Sequence, residues 1–246
     1  MPPGNRLPSV VMLISVLTLS AAVGCGHFTR AGFRIQKQPA TIVFLGDSIT
    51  EGASSPQGYI TLFNQFCEAN GYKVKSINAG ISGHKSNDML KRLQKDVLDK
   101  HPDWVSISCG VNDVWHGEKG VPLPDYRKNM TEMVDRCTAS GAKVLLLTAT
   151  PIFENLDRPE NKKLAAYNDF LRQLANEKKI VLCDLNQAFT AVYEKKRTKD
   201  NVLTTDGVHM KPSGYRLMAM EILKSLDAKP TEIAKAERRW ESKENR

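Results

Sequence analysis

The feature that most constrains this chain is an alternation of short apolar segments with longer stretches of helical periodicity. Five runs rich in apolar residues read as strands, at residues 41–45, 74–77, 104–108, 144–147 and 180–182. Helical patterns separate and follow them, over residues 60–70, 87–98, 125–140, 164–178 and 186–195 and from Pro212 onward. Strands that alternate with helices form parallel βαβ units, with helices on both faces of the sheet. The sequence therefore predicts an α/β domain, a three-layer α/β/α sandwich on a five-stranded parallel sheet.

The start of the chain has a different character. An apolar run at residues 10–23 follows a single basic residue, Arg6. The run is shorter than the roughly 20 residues that a membrane-spanning helix needs, and it is typical of a secretory signal peptide. It ends in Ala22-Val23-Gly24-Cys25, which resembles a bacterial lipobox. We therefore predict a signal peptide over residues 1–25, lipidation at Cys25 and a membrane-anchored extracytoplasmic lipoprotein. Simple cleavage with release to the periplasm or medium, and an uncleaved anchor, are the open alternatives.

The remaining chain is long enough for one domain with a substantial core. Residues 26–39 are interpreted as a linker and residues 40–228 as the folded domain. The tail, residues 229–246, is polar and mixed in charge, which predicts an exposed helix or disorder. The oligomeric state is not predicted.

The net charge of +8 does not point to nucleic acid. Basic residues are scattered among acidic ones, and no basic run is interleaved with aromatic residues, so we expect a solvated surface and no nucleic-acid partner. Apart from Cys25, the cysteines lie in apolar patterns without a Cys-x-x-Cys pair or a histidine at ligand spacing. They are interpreted as small buried residues, with one disulfide left open and no metal site predicted: Cys67, Cys109, Cys137 and Cys183.

Polar, glycine-containing segments follow three of the predicted strands directly, at residues 46–52, 78–83 and 109–113. The carboxyl ends of parallel strands meet at one edge of a sheet, which is where ligands bind in such folds. A fourth polar segment before the last helix carries His209, with Asp206 three residues ahead of it. The sequence therefore predicts that Ser48, Asp206 and His209 converge at this edge.

These residue types suit nucleophilic catalysis. A serine hydroxyl needs an adjacent base to take its proton, and histidine serves near neutral pH. Asp206 is expected to fix the tautomer of His209 and to stabilise its protonated form. Donors for the oxyanion are predicted to be the Ser48 N–H, the Gly83 N–H and the Asn112 side chain, with Gly80 as a rival to Gly83.

The four segments resemble the conserved blocks of the SGNH (GDSL-type) hydrolases, an acylesterase family. Gly46-Asp47-Ser48, Gly83, Gly110-Val111-Asn112-Asp113 and Asp206-Gly207-Val208-His209 occur in the order of that family. The resemblance covers residues 41–226. It implies a flavodoxin-like three-layer fold, no metal or organic cofactor, and ester hydrolysis through an acyl-enzyme.

Around the site, Trp115 and His116 are candidates for the substrate pocket, with packing of their own loop as an equal alternative. Asp47 and Asp113 are expected to brace their own turns. No Gly-x-Ser-x-Gly elbow is present, so an α/β-hydrolase is not predicted. The predicted substrate is a small O-acyl ester, as a small molecule or on a polysaccharide, and foremost an acetyl group on carbohydrate. The alternatives are a lysophospholipase or thioesterase of the same family, and a carbohydrate-binding lipoprotein without catalysis.

Overall fold

The computed structural model describes Met1 and residues 32–36, 38–196 and 200–244. Within this part, five strands form one sheet whose neighbours all run parallel, in the order β2-β1-β3-β4-β5. The five-stranded parallel sheet is confirmed, with this strand order typical of flavodoxin-like folds. Its strands are β1 Ala40–Gly46, β2 Val74–Gly80, β3 Trp104–Ser108, β4 Lys143–Leu147 and β5 Val181–Cys183.

The helices that flank the sheet begin and end within a few residues of their predicted bounds. Two short helices were not predicted, and both follow strand ends that carry site residues. The α-helices of the described chain are α1 Ser48–Glu51, α2 Tyr59–Ala69, α3 Ser86–Asp96, α4 Val111–Trp115, α5 Leu123–Ala139, α6 Pro159–Lys178, α7 Leu185–Tyr193, α8 Pro212–Ser225 and α9 Pro230–Glu244. Among them, none combines the length and the apolar character needed to cross a membrane.

The two central strands are buried along nearly their whole length. β3 is buried at every position, and β1 at every position except Thr41. β1 reads as a continuous apolar run because helices cover both faces of a parallel sheet, whereas β3 also buries Ser106 and Ser108. On one face, Phe44 packs edge-on against Phe63 of α2, with the ring centroids 5.7 Å apart. This rigid centre fixes the strand ends at which the polar segments begin.

The folded domain extends beyond both of its predicted boundaries, residues 40 and 228. The tail is a helix as predicted, but it is neither wholly exposed nor disordered, because Ile233, Ala236 and Trp240 are buried against the domain. Their spacing places them on one face of α9. The described part of the predicted linker is residues 32–36 and 38–39. Its first segment also packs on the domain, burying Phe33 and Ile35.

This N-terminal segment is held by backbone and side-chain contacts. The Arg34 N–H donates to the carbonyl of Leu226 at 2.9 Å, and the Arg34 guanidinium lies 2.8 Å from the carboxylate of Asp227. Residues 32–36 therefore belong to the domain rather than to a linker. The predicted signal peptide and Cys25 lie outside the described residues. The other cysteines are buried free thiols, so no disulfide joins them: Cys67, Cys109, Cys137 and Cys183.

Candidate active site

Ser48 stands where β1 ends and α1 begins. Asp47 caps α1, and its Oδ1 accepts the N–H of Ile49 at 3.0 Å. Asp47 thus braces its own turn, as predicted. The turn is tight, because a Cβ at Gly46 would lie 2.0 Å from Oγ1 of Thr50. The nucleophile candidate is therefore held on a rigid strand-to-helix turn, with its side chain half-buried.

His209 joins Ser48 to Asp206. Its Nε2 lies 3.0 Å from Oγ of Ser48, and its Nδ1 lies 2.6 Å from Oδ2 of Asp206. The other carboxylate oxygen of Asp206 accepts the backbone N–H groups of Val208 and His209, at 2.9 and 2.8 Å. Gly207, at φ 94°, supplies the left-handed residue that this turn requires. The structure thus brings together the residues predicted as the nucleophile, as its base and as the carboxylate that orients the base.

The protonation state of Asp206 decides how this array can act. Partial burial tends to raise the pKa of Asp206, but hydrogen bonds from His209 and Val208 outweigh it and lower the pKa to about 2. An ionised carboxylate only accepts hydrogen bonds, so Nδ1 of His209 must carry the proton that it shares with Asp206. In the neutral imidazole, Nε2 is then the nitrogen without a proton, and it faces the Ser48 hydroxyl.

Gly80 and Gly83 were both candidates for the backbone N–H donor to the oxyanion, and their surroundings in the structure differ. The Gly80 N–H already donates to Oδ1 of Asn78 at 2.9 Å, and a Cβ at Gly80 would lie 2.1 Å from the N atom of Glu51. Gly83 is exposed at φ 76°, and a Cβ there would meet no described atom within 4 Å. Gly80 thus packs against α1, whereas Gly83 borders open space.

Asn112 lies in the first turn of α4 and is 4% exposed. Its Nδ2 donates to the carbonyl of His84 at 3.1 Å, which ties α4 to the segment that carries Gly83. A side-chain amide has two N–H donors, so one of them is available for a further acceptor.

Asp113 contacts its own turn, because its Oδ2 accepts the thiol of Cys109 at 3.4 Å. Its carboxylate also accepts the N–H and the hydroxyl of Ser86, at 3.0 and 2.6 Å, so it anchors the start of α3 as well. The sequence did not indicate this second contact. Burial raises the pKa of Asp113, while the hydrogen bonds from Ser86 oppose that shift.

Arg92 is a site-supporting residue that the sequence did not reveal. From α3, its Nη2 donates to the carbonyl of Gly46 at 2.9 Å and its Nη1 to that of Ala79 at 2.8 Å. Its Nε donates to Nδ1 of His84 at 3.0 Å. The guanidinium thus joins the ends of β1 and β2 to the segment of Gly83. An arginine in a helical pattern carries no sequence signal for such a role.

An aromatic pair lies beside the turn of His209. Trp115, a predicted pocket residue, is 36% exposed, and its ring centroid lies 6.2 Å from that of Phe153 in an edge-to-face arrangement. His116, also predicted, is exposed with its ring 5.9 Å from that of Trp115. Phe153 was missed by the sequence, and its N–H donates to the carbonyl of Gly207 at 2.6 Å. The aromatic pair is therefore joined directly to the segment of Asp206 and His209.

An α/β/α sandwich with an aligned serine, imidazole and carboxylate at the carboxyl edge of its sheet has the architecture of a serine hydrolase. The chain belongs to the GDSL-like lipase/acylhydrolase family, whose model matches residues 44–217. This membership confirms the resemblance read from the four sequence blocks.

Individual relatives narrow the class to esterases. The acetylxylan esterase of Geobacillus stearothermophilus is 28% identical over 205 residues, covering 75% of this chain and 93% of that protein. The crystal structure of the acetyl xylan esterase AlAXEase superposes with a TM-score of 0.71 at 31% identity, over 75% of this chain and 98% of that one. The uncharacterized lipoprotein YqeF of Bacillus subtilis is 25% identical over 210 residues, which cover 72% of this chain and 85% of YqeF. This chain is a carboxylic ester hydrolase of the GDSL family.

Proposed function

We propose that this chain hydrolyses small O-acyl esters, foremost acetyl esters of carbohydrates, through a triad of Ser48, His209 and Asp206. The observation that carries the proposal is the position of the His209 ring, with Nε2 3.0 Å from the serine hydroxyl and Nδ1 2.6 Å from an ionised carboxylate. This is the geometry that lets a neutral imidazole take a proton from a hydroxyl nucleophile.

In the proposed reaction, Oγ of Ser48 attacks the ester carbonyl while its proton passes to Nε2 of His209. Asp206 stabilises the imidazolium that forms. When the tetrahedral intermediate collapses, the imidazolium returns the proton to the departing alcohol oxygen, leaving an acyl group on Ser48. Water, deprotonated by the same Nε2, then attacks the acyl-enzyme. As the bond to Oγ of Ser48 breaks, the imidazolium returns this proton to Oγ, and the carboxylic acid is released.

The negative oxygen of the intermediate requires donors that are already in place. We assign this role to the Ser48 N–H, the Gly83 N–H and Nδ2 of Asn112. Gly83 has a positive φ and borders open space, and Asn112 is held by its contact with His84. One such donor typically stabilises the transition state by about 3–4 kcal/mol.

A carbohydrate acetyl ester is the substrate that the surroundings support. The exposed ring of Trp115 and the neighbouring ring of Phe153 offer an aromatic surface beside the turn of His209. Sugar rings carry apolar C–H faces that pack on aromatic rings, while their hydroxyls stay solvated. The acetylxylan esterases similar to this chain act on an ester of this kind, as their names state.

Hydrolysis of p-nitrophenyl acetate, butyrate and octanoate by the chain and by Ser48→Ala tests the proposal, together with acetate release from acetylated xylan. We expect the acetate ester to be preferred, xylan to release acetate, and the variant to be inactive. Preference for octanoate would favour the lysophospholipase or thioesterase alternative. Turnover that survives in Ser48→Ala would contradict the mechanism, and no turnover of any ester would favour a carbohydrate-binding lipoprotein.

We also propose that the chain is exported and anchored through a lipid on Cys25. The lipobox-like run Ala22-Val23-Gly24-Cys25 supports this, as does the similarity to a protein named as a lipoprotein. Labelled palmitate should enter the wild type and the control Cys137→Ala, but not Cys25→Ala. Equal labelling of all three, or of none, would contradict lipidation at this residue.

A further inference from the structure

A buried carboxylate lies where the chain leaves β4 on its way to α6. The side chain of Glu154 is 1% exposed, although a glutamate is rarely buried without several partners. Its Oε1 accepts the N–H groups of Leu203 and Thr204, at 2.8 and 2.9 Å, and the hydroxyl of Thr204 at 2.9 Å. Its Oε2 accepts the N–H of Val202 at 2.7 Å and lies 3.3 Å from Nζ of Lys196.

The donors of these bonds come from the stretch that leads into the proposed catalytic turn. Residues 200–211 form neither a helix nor a strand beyond a single antiparallel bridge between Thr204 and Met210. Buried N–H groups of irregular backbone have no ladder partner, so they need other acceptors. Glu154 supplies acceptors for three successive N–H groups, so it replaces the ladder that a strand would provide.

The charge on Glu154 strengthens this contact. Burial tends to raise the pKa of Glu154, but the hydrogen bonds from Val202, Leu203 and Thr204 outweigh it and lower the pKa. The group is therefore ionised, and hydrogen bonds to an ionised acceptor are about twice as strong as neutral ones.

Residues 202–204, which Glu154 holds, are connected by hydrogen bonds to the turn of Asp206 and His209. The Lys211 N–H donates to the carbonyl of Leu203, and the Thr205 N–H donates to that of His209, both at 2.8 Å. These bonds close the chain around Asp206 and His209 immediately beyond the residues that Glu154 holds. A shift of residues 202–204 must therefore move the imidazole relative to Ser48.

We propose that Glu154 is a positioning residue for the acid–base turn, setting the place of Asp206 and His209 through its bonds to residues 202–204. This inference rests on the proposed function of the triad. Glu154 is buried and acts through the backbone, so its loss should lower kcat and leave KM nearly unchanged. A displacement of about 1 Å of a reacting group can cost about a hundredfold in rate.

The test compares Glu154→Gln and Glu154→Ala with the wild type in p-nitrophenyl acetate hydrolysis. The glutamine retains one acceptor oxygen and the alanine none, so we expect kcat to fall about tenfold and about a hundredfold, respectively, with KM within about twofold. Thr204→Val removes one bond without removing the carboxylate, and a smaller fall in kcat is expected. Hydrogen exchange should also accelerate at the amides of residues 202–204.

Val134→Ala, a cavity variant in α5, is the control for general destabilisation, with Tm measured for every variant. At an equal loss of Tm, we expect it to retain wild-type kcat. Glu154→Gln with unchanged kcat, or a fall no larger than that of Val134→Ala at equal Tm, would overturn the inference. If Glu154→Gln does not fold, Thr204→Val decides by the same comparison. Activity that persists in Ser48→Ala would instead refute the triad, so the two failures are distinguishable.

Discussion

Nε2 of His209 lies 3.0 Å from Oγ of Ser48, although 161 residues separate them in the chain. Ser48 follows the first strand of the sheet, and His209 stands in the turn that precedes α8. The sheet brings them together because its strands are parallel and the polar segments share one edge. The contact between Ser48 and His209 thus depends on the strands of the sheet, to which neither residue belongs.

Asp206→Asn should leave the turn intact but remove its charge. An amide in this place no longer forces the proton onto Nδ1 of His209, so the imidazole spends less time as a base towards Ser48. We expect kcat for p-nitrophenyl acetate to fall about 10⁴-fold with little change in KM. The exposed Asp125→Asn serves as the control. Equal rates for the two variants would contradict the role of Asp206.

Asn112→Ala should remove one oxyanion donor. Steady-state kinetics with p-nitrophenyl acetate should show kcat reduced about 10²–10³-fold, while KM stays within about threefold, because the bond strengthens only in the transition state. Asn176→Ala, an exposed position on α6, is the matched control. A rise in KM at unchanged kcat would assign Asn112 to substrate binding instead.

Trp115→Ala should distinguish a sugar from a simple ester. We expect KM for an acetylated xylo-oligosaccharide to rise about three- to tenfold, the equivalent of one lost aromatic contact, with p-nitrophenyl acetate kinetics nearly unchanged. Trp115→Phe retains an aromatic face and should lose less. If both substrates respond equally, the ring supports the fold of the site rather than the binding of sugar.

Asp47→Asn should change the pH dependence of stability. Burial raises the pKa of Asp47 to about 6, opposed by the hydrogen bond from Ile49. The folded protein then keeps a proton that the unfolded chain releases at lower pH, so this residue's contribution to the free energy of unfolding falls as pH rises from about 4 to about 6. Relative to Asp47→Asn, the wild type should lose about 2–3 kcal/mol across this window in urea unfolding. Parallel curves for the two proteins would contradict the raised pKa.

The sheet and the four polar blocks could be predicted because their signals are local. A few consecutive residues are enough to predict a strand from the apolar run of β1, or a polar turn from Gly46-Asp47-Ser48. The residues that sequence reasoning missed act over long distances. Glu154 serves a segment about fifty residues further on, and Arg92 joins the ends of two strands. The local sequence around Glu154 or Arg92 does not distinguish it from a charged residue on the solvated surface.

The tail was misjudged for a related reason. Its composition is polar, and the buried apolar face consists of three residues, Ile233, Ala236 and Trp240. Their spacing was available in the sequence, but the surface that they cover is formed by other helices. Asp113 illustrates the same limit, because its partner Ser86 lies outside the four blocks, at the start of α3.

The place where residues 32–36 join the domain has a geometric consequence. Gly32, Arg34 and Gln36 line a surface cleft with Trp104 and Lys143, the first residues of β3 and β4. Ser48 follows the other end of β1, a strand of seven residues that spans about 23 Å. Residues 32–36 therefore contact the domain at the amino ends of the strands, on the side opposite the edge that carries the serine. A substrate can thus reach Ser48 without meeting this N-terminal segment.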